Sequence, residues 1–245
     1  MLIAALVAAL FLLPQPALVA LVALLVFAAA LEWARLCRLA TMSAMVYAAV
    51  LTALYILLHN LEIERELFGL AALFWIAVVP VWMWRGLQPA HTTWLGAAGF
   101  AVLLPAALAL VTLTPLEVLL VLVLVWIADT AAYFIGRAWG RRKLAPSISP
   151  GKTWEGAFGG LGGAALYAII LAFFTHRGGA PALVATAVLL GMVSIIGDLF
   201  ESAAKRQAGL KDSGSLLPGH GGILDRIDSA TAVLPLAALA WPLVA

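Results

Sequence analysis

Charge is what this chain has least of. Only 11% of its 245 residues are Asp, Glu, Lys or Arg, while 65% are hydrophobic; soluble domains carry about 25% charged residues. With a mean hydropathy of +1.10, that deficit excludes an ordinary soluble domain and implies an integral membrane protein. Cysteine is almost missing too. A lone Cys37 excludes an internal disulfide and leaves the redox compartment open. No basic stretch precedes the first apolar run, MLIAALVAALFLLPQPALVALVALL, so that run reads as membrane helix and not as a secretory leader. Charge-rich soluble segments, low-complexity linkers and clear internal repeats are also lacking.

Apolar segments make up most of what is present. A spanning helix needs about 20 apolar residues, within about 17 to 25. Nine such segments lie near 2–13, 16–34, 42–59, 67–84, 93–112, 115–136, 156–175, 181–200 and 226–245. The first is short and ends at Pro14, so the count falls to eight if it does not fully cross. The expected fold is all-α and polytopic, with about nine transmembrane helices and a cytoplasmic N-terminus. Residues 1–114 form the N-terminal helices and 115–245 the C-terminal helices that carry the site, within one integrated membrane domain.

The distribution of basic residues sets the orientation. With nine spans and a cytoplasmic N-terminus, 12 of the 14 Lys and Arg fall at cytoplasmic ends, leaving only Arg65 and Arg177 outside. The acidic loop 62–66 suits the far side. The polar loops 137–155 and 201–225 then share the cytoplasmic face. Trp33, Trp82, Trp84, Trp139 and Trp154 lie near span ends, where an interfacial belt would place them.

The carboxylates concentrate at one level. Asp129 lies in the sixth span, Asp198 and Glu201 close the eighth, and Asp225 and Asp228 open the ninth. The last two pairs have i, i+3 spacing, so each pair shares a helix face. Ionisable groups in a lipid-embedded chain are costly and usually functional. Converging carboxylates suit a hard cation, and Mg²⁺ typically takes one or two of them plus substrate phosphates. The plainer alternatives are ion pairing with Arg137, Arg206 or Arg226, or capping of the ninth helix by Asp225. Lys205, Arg206, Lys211 and Arg226 flank the acids, and Arg141, Arg142, Lys143 and Lys152 sit on the facing loop. Acids and bases mixed in this way suit a phosphate-rich substrate held with a metal; attraction to anionic lipid is the alternative for the 141–143 cluster.

Glycine-rich turns add to the picture. Pro218-Gly219-His220-Gly221-Gly222 precedes the last helix, leaving backbone N–H groups and a helix N-terminus for an anion. His220 could bind phosphate, shuttle a proton or only pack. His59, His91 and His176 read as surface or interface residues. Gly151-Lys152-Thr153 resembles the end of a nucleotide P-loop, but the required earlier glycine is Pro146, so a Walker A loop is rejected. Gly156, Gly159, Gly160, Gly162 and Gly163 follow at helical spacings that let membrane helices pack closely.

Residues 202–228 resemble the signature of the phosphatidate cytidylyltransferase (CDP-diacylglycerol synthase) family. Ser202, Lys205, Arg206, Lys211, Asp212, Gly214, Pro218, Gly219, His220, Gly221, Gly222, Asp225, Arg226 and Asp228 fill that pattern without a gap. The blocks 128–137, 149–156 and 197–202 also look like the family, whereas the first hundred residues match only in hydrophobicity. The resemblance implies that CTP and phosphatidic acid give CDP-diacylglycerol and pyrophosphate in phospholipid biosynthesis, with no nucleic acid partner. It further implies Mg²⁺ dependence, with a second, monovalent or divalent, cation compatible, a homodimer, and residence in a bacterial cytoplasmic (inner) membrane with the active site facing the cytoplasm. By analogy Asp198, Asp225 and Asp228 would be the metal ligands. Lys205, Arg206 and Lys211 would hold phosphates, and Ser202, Lys152, His220, Gly221, Gly222, Arg226, Asp212 and Asp129 would complete the substrate site. Rival readings are a CTP-dependent lipid kinase, a cytidylyltransferase for another lipid phosphate, and a cation-coupled transporter. The transporter fits poorly, because the charges crowd near one face of the second half and no acid sits clearly at midplane.

Overall fold

The computed structural model describes residues 2–61, 63–175, 180–214 and 221–244. The helices are α1 (Leu2–Leu12), α2 (Gln15–Leu36), α3 (Thr41–His59), α4 (Glu64–Leu73), α5 (Val79–Arg85), α6 (Thr92–Thr112), α7 (Pro115–Trp139), α8 (Trp154–Thr175), α9 (Ala180–Ala208) and α10 (Leu224–Val244). A π turn, Phe74–Val78, joins α4 to α5 in one continuous rod. Val79 N–H reaches back five residues to Phe74 O, a widening that accommodates Pro80, whose nitrogen has no proton to donate. Among the described residues seven helical segments are long and apolar enough to cross a bilayer. α10 adds another 21 residues with its charges confined to the N-terminal end. The molecule is an all-α integral membrane protein.

Local chemistry sets the boundaries. Thr114-Pro115-Leu116-Glu117 forms a capping box: the Glu117 N–H donates to Thr114 Oγ1 at 3.4 Å and the Thr114 N–H to Glu117 Oε2 at 2.8 Å. Both orphan donors are thereby satisfied at the start of α7. At the other end of the bundle α9 runs past the expected membrane boundary. Residues 201–208, expected as the start of a polar loop, are helical. Their good helix formers and the buried Ala203 and Ala204 carry the helix onward to Gly209, which ends it at φ +77°. Gly209 N–H bonds Arg206 O at 3.0 Å and Leu210 N–H bonds Lys205 O at 2.8 Å, the double closure of a Schellman end.

The loop expected over 137–155 is shorter than its span suggests. α7 continues to Trp139, and β1 (Lys143–Ala145) pairs antiparallel with β2 (Ser149–Thr153). This small hairpin is the one departure from an all-α fold among the described residues. Pro146, Pro150 and Gly151 deny the segment a helix and leave an extended turn.

α6 and α10 form the interior. α6 is the most buried of the spanning segments, and α10 packs against α9, α6, α4, α7 and α2. Phe200 on α9 is enclosed by aromatic rings of Trp33, Phe74, Trp75 and Trp82, with centroids 5.6–6.2 Å away. That cluster fixes the α9 turn bearing Asp198 and Glu201. Trp33 is therefore core rather than belt: it is 1% exposed and its indole N–H donates to Leu95 O at 2.8 Å. Trp84, Trp139 and Trp154 are exposed as an interfacial belt requires. His91 accepts from the Trp82 indole at 3.2 Å.

α7 and α8 make the tightest helix pair. A Cβ placed on Gly156 would lie 2.8 Å from Ala132 O and 3.2 Å from Gly136 Cα, so the backbones meet where a methyl group cannot fit. Gly156→Ala is expected to cost about 1–3 kcal/mol by overpacking, read as a lower melting temperature in detergent. Gly162→Ala, which enters open space, is expected to leave it unchanged or slightly raised.

Candidate active site

The polar ends of α7, α8, α9 and α10 and the β1–β2 hairpin meet on one side of the molecule. Two charge clusters result, one open and one sealed.

The open cluster lines a cavity of about 600 Å³. Asp129, Tyr133 and Arg137 come from α7, Ser149, Lys152 and Thr153 from the hairpin, and Asp198 from α9. Ala132, Ala157 and Ile195 supply an apolar wall. Lys152 is ion-paired with Asp198, the two side chains being 28% and 29% exposed, and Ser202 Oγ donates to Asp198 Oδ1 at 3.3 Å. The Arg137 guanidinium donates to the Tyr133 hydroxyl at 2.9 Å. Asp228 adjoins this cluster from α10, where its backbone carbonyl lies 3.0 Å from the position a Cβ on Gly197 would take. The charges of Asp198, Glu201 and Lys152 all act on it. Asp129, Asp198 and Asp228 thus share one neighbouring cation, Lys152.

Lys152 owes its place to the hairpin. The Trp154 N–H bonds Arg142 O at 2.9 Å, and the Glu155 carboxylate accepts the Arg141 and Arg142 N–H groups at 3.1–3.3 Å. Arg206, fully at the surface, donates to Ile148 O at 3.3 Å and to Leu210 O at 3.1 Å, tying the hairpin tip to the end of α9. Lys211 and Asp212 are exposed on the segment that follows.

The sealed cluster lies deeper, around Lys205. Its ammonium contacts Glu201 Oε2 at 2.7 Å and Asp225 Oδ1 at 2.6 Å, with all three side chains almost buried. Asp225 Oδ2 accepts the Ser213 N–H at 3.0 Å, the Ser213 hydroxyl at 3.0 Å and the Gly222 N–H at 2.8 Å. Both of its oxygens are occupied. Beside it stands a residue that the motifs did not single out, Glu32 of α2. Its side chain accepts the Ile223 N–H at 3.0 Å and the Leu224 N–H at 2.9 Å, and the Ser213 hydroxyl, whose single proton serves Asp225 or Glu32 in turn, lies 3.0 Å from both carboxylates.

These contacts correct one expectation. Among the described residues, the N–H groups of Gly222, Ile223 and Leu224 are already bonded within the chain. Gly222 gives its proton to Asp225, and Ile223 and Leu224 give theirs to Glu32. Two of the chain's own carboxylates fill the place that favours an anion at a helix N-terminus. Gly221 and Gly222 shape this internal cradle. His220 lies outside the described residues. Arg226 lines a separate, mainly apolar cavity of about 180 Å³ between α1, α2, α6, α7 and α10.

The signal for Glu32 was available: it is the only acid within the 22 residues of α2, and an isolated acid in an apolar span is costly unless matched. Among the described residues no three acid, His or Cys side chains are gathered tightly enough to chelate an ion unaided. Asp225 is separated from the open cluster by its bonds to Lys205, Ser213 and Gly222.

A family model described as "Cytidylyltransferase family" matches residues 1–244. The phosphatidate cytidylyltransferase of Pseudomonas aeruginosa is 44% identical over 224 residues, covering 86% of this chain and 82% of that protein. That of Haemophilus influenzae is 50% identical over 122 residues, 48% of this chain and 42% of the relative. That of Brucella suis is 53% identical over 112 residues, 46% and 42% respectively.

Lys205→Met strands Glu201 and Asp225 as buried, unpaired carboxylates, and is expected to cost about 3–5 kcal/mol. Thermal unfolding in detergent is the measurement. Lys152→Met, whose partner reaches water, is expected to leave the unfolding temperature nearly unchanged.

Proposed function

The chain belongs to the cytidylyltransferase family, and on that basis we propose that it transfers the cytidylyl group of CTP to phosphatidic acid, giving CDP-diacylglycerol and pyrophosphate. The observation that carries this reading is the open cavity of about 600 Å³. Its polar wall offers an accessible lysine among aspartates, and its apolar wall continues into the helices.

A phosphatidate oxygen attacks the α-phosphorus of CTP. The bond from that phosphorus to the bridging oxygen breaks, and pyrophosphate leaves with the electron pair. The lipid phosphate is already an anion and needs no general base, so the protein's contribution is positioning and charge neutralisation. Lys152 exchanges Asp198 for a phosphate oxygen, which its partial exposure allows. Arg206 and Lys211 stand at the rim, where a polyphosphate arrives from water. Lys205 acts from below by holding Asp225. Siting the reaction at the end of the helices leaves the acyl chains in lipid.

Three aspartates gathered around one lysine fit a Mg²⁺ ion bound by one or two carboxylates and substrate phosphates. Of the three expected ligands, Asp198 lines the cavity, Asp228 adjoins it from α10, and Asp225 serves through position. Asp129 remains for a second, monovalent or divalent, cation. When bound, Mg²⁺ supplies neutralisation of the phosphate oxygens as charge develops on them.

For the topology, α1 has 11 residues, roughly 16 Å of helix, about half of a hydrocarbon core of roughly 30 Å. It enters without crossing alone, with the N-terminus directed toward the site. The site faces the cytoplasm, where 12 of 14 basic residues collect, in the bacterial inner membrane. The functional unit is a homodimer, to be checked by light scattering in detergent.

The purified protein with CTP, phosphatidic acid and Mg²⁺ is expected to release pyrophosphate and form CDP-diacylglycerol. Folded protein giving no product across several lipids and detergents overturns the reaction, and phosphorylation of a lipid alcohol would instead support a kinase. Asp198→Asn and Lys152→Ala are each expected to lower kcat by about a hundredfold or more while the protein stays in the membrane. Orientation is tested with single cysteines in a Cys37→Ala background. Burial raises the Cys37 thiol to about 12, so the native residue itself contributes little labelling. Ser147→Cys is expected to react with an impermeant thiol reagent only in inverted vesicles, and Asn60→Cys only in right-side-out ones.

A further inference from the structure

Glu32 is 0% exposed, and of the ion pairs among the described residues none includes it. A buried charge without a counter-ion persists only when it is fully hydrogen-bonded. Both oxygens are indeed taken, Oε1 by the Ile223 N–H and Oε2 by the Leu224 N–H, with the Ser213 hydroxyl shared between Oε2 and Asp225. The fit is steric as well as polar. A Cβ on Gly214 would lie 2.3 Å from Glu32 Oε1, and one on Gly222 would lie 2.4 Å from Oε2. Two glycines from the 209–222 segment thus leave room for one carboxylate from the opposite half of the chain.

The contacts continue outward without a break. The Ser213 hydroxyl lies 3.0 Å from Glu32 and 3.0 Å from Asp225. Asp225 holds Lys205, and Lys205 holds Glu201. One turn along α10, Asp228 enters the open cluster beside Asp198. The rotation and height of the first turn of α10 therefore set where Asp228 sits, and the groups gripping that turn are Glu32 and Asp225.

We propose that Glu32 is a positioning residue for cytidylyl transfer: an internal anion that occupies the N-terminus of α10, gathers Ser213, Gly214 and Gly222 around itself and so fixes Asp225 and Asp228. It does not touch substrate. Its effect runs through the backbone of Ile223 and Leu224, and it keeps that helix end from capturing a substrate phosphate in the wrong place. The turnover part of the test rests on the reaction proposed above; the exchange part does not.

The test uses the full chain in detergent micelles, with Glu32→Gln, Glu32→Asp and Gly222→Ala. Glu32→Gln replaces one acceptor oxygen with a donor facing backbone N–H groups. Its kcat is expected to fall about a hundredfold, as misplacement of reacting groups does, with the KM for CTP within about threefold of the native value. Amide exchange at Ile223 and Leu224 should quicken more than about tenfold while α3 and α6 stay unchanged. Glu32→Asp, with the charge kept but withdrawn by one methylene, should recover part of kcat. Native kcat in Glu32→Gln, or a loss carried wholly by KM, overturns the proposal. If Glu32→Gln does not accumulate, Gly222→Ala, which presses on the same carboxylate, must show the same local exchange and kcat loss; native behaviour there overturns it. If the native protein makes no CDP-diacylglycerol, the reaction fails and exchange alone decides: local quickening supports the role of Glu32, and unchanged exchange overturns it.

Discussion

One ammonium group between two buried carboxylates organises the polar end of this protein. Lys205 reaches Glu201 on its own helix and Asp225 on the next. Taking charges out of water is expensive, and the expense is recovered only when geometry and further hydrogen bonds are good. Here they are supplied from three directions: α9 brings Lys205 and Glu201, α10 brings Asp225, and Ser213 and Gly222 complete the Asp225 shell. The Lys205 bridge between α9 and α10 ties the two helices together beside Asp198 and Asp228.

A separation of tasks results. Lys205 and Asp225 belong to the same motif as the exposed Arg206, Lys211 and Asp212, but they are consumed in holding the structure. Lys152, from a hairpin far away in sequence, lines the open cavity together with Arg137 and is the cation paired with Asp198 there. Its pairing with Asp198 keeps it in place while partial exposure keeps it exchangeable. Placing the exchangeable cation on a strand and the fixed one on a helix divides rigidity from reactivity. The hairpin is tied down at Glu155 and Arg206 so that it does not drift.

Much of this was legible before any coordinates. The apolar segments gave the helices to within a few residues, because hydrophobic length and Pro or Gly punctuation are strong local signals. The level shared by Asp129, Asp198 and Asp228 was legible from span ends alone. Other features were not, and for physical reasons. Residues 201–208 looked like loop because they are charged, yet their charges are matched by tertiary partners that no local pattern reveals. Trp33 looked interfacial because its position along α2 says nothing about which side of the helix meets α6. The turn at Gly221 and Gly222 matched an anion-binding pattern correctly, but the anions are internal. Local sequence can show that a carboxylate or phosphate would be welcome there; it cannot show that Glu32, 191 residues earlier, already provides one.

Glu32 and its donors are separated in time as well as in sequence. At about 5–20 residues synthesised per second, the 191 residues between Glu32 and Ile223 take roughly 10–40 s to appear. Throughout that interval α2 carries a carboxylate whose final partners do not yet exist. It must wait hydrated at the membrane surface, held near the bilayer edge by its place one turn from the end of α2. Helix α10 is thus the element whose first turn supplies the partners that the α2 carboxylate lacks until then. A nascent chain stalled before α10 would hold an acid in α2 without its backbone donors.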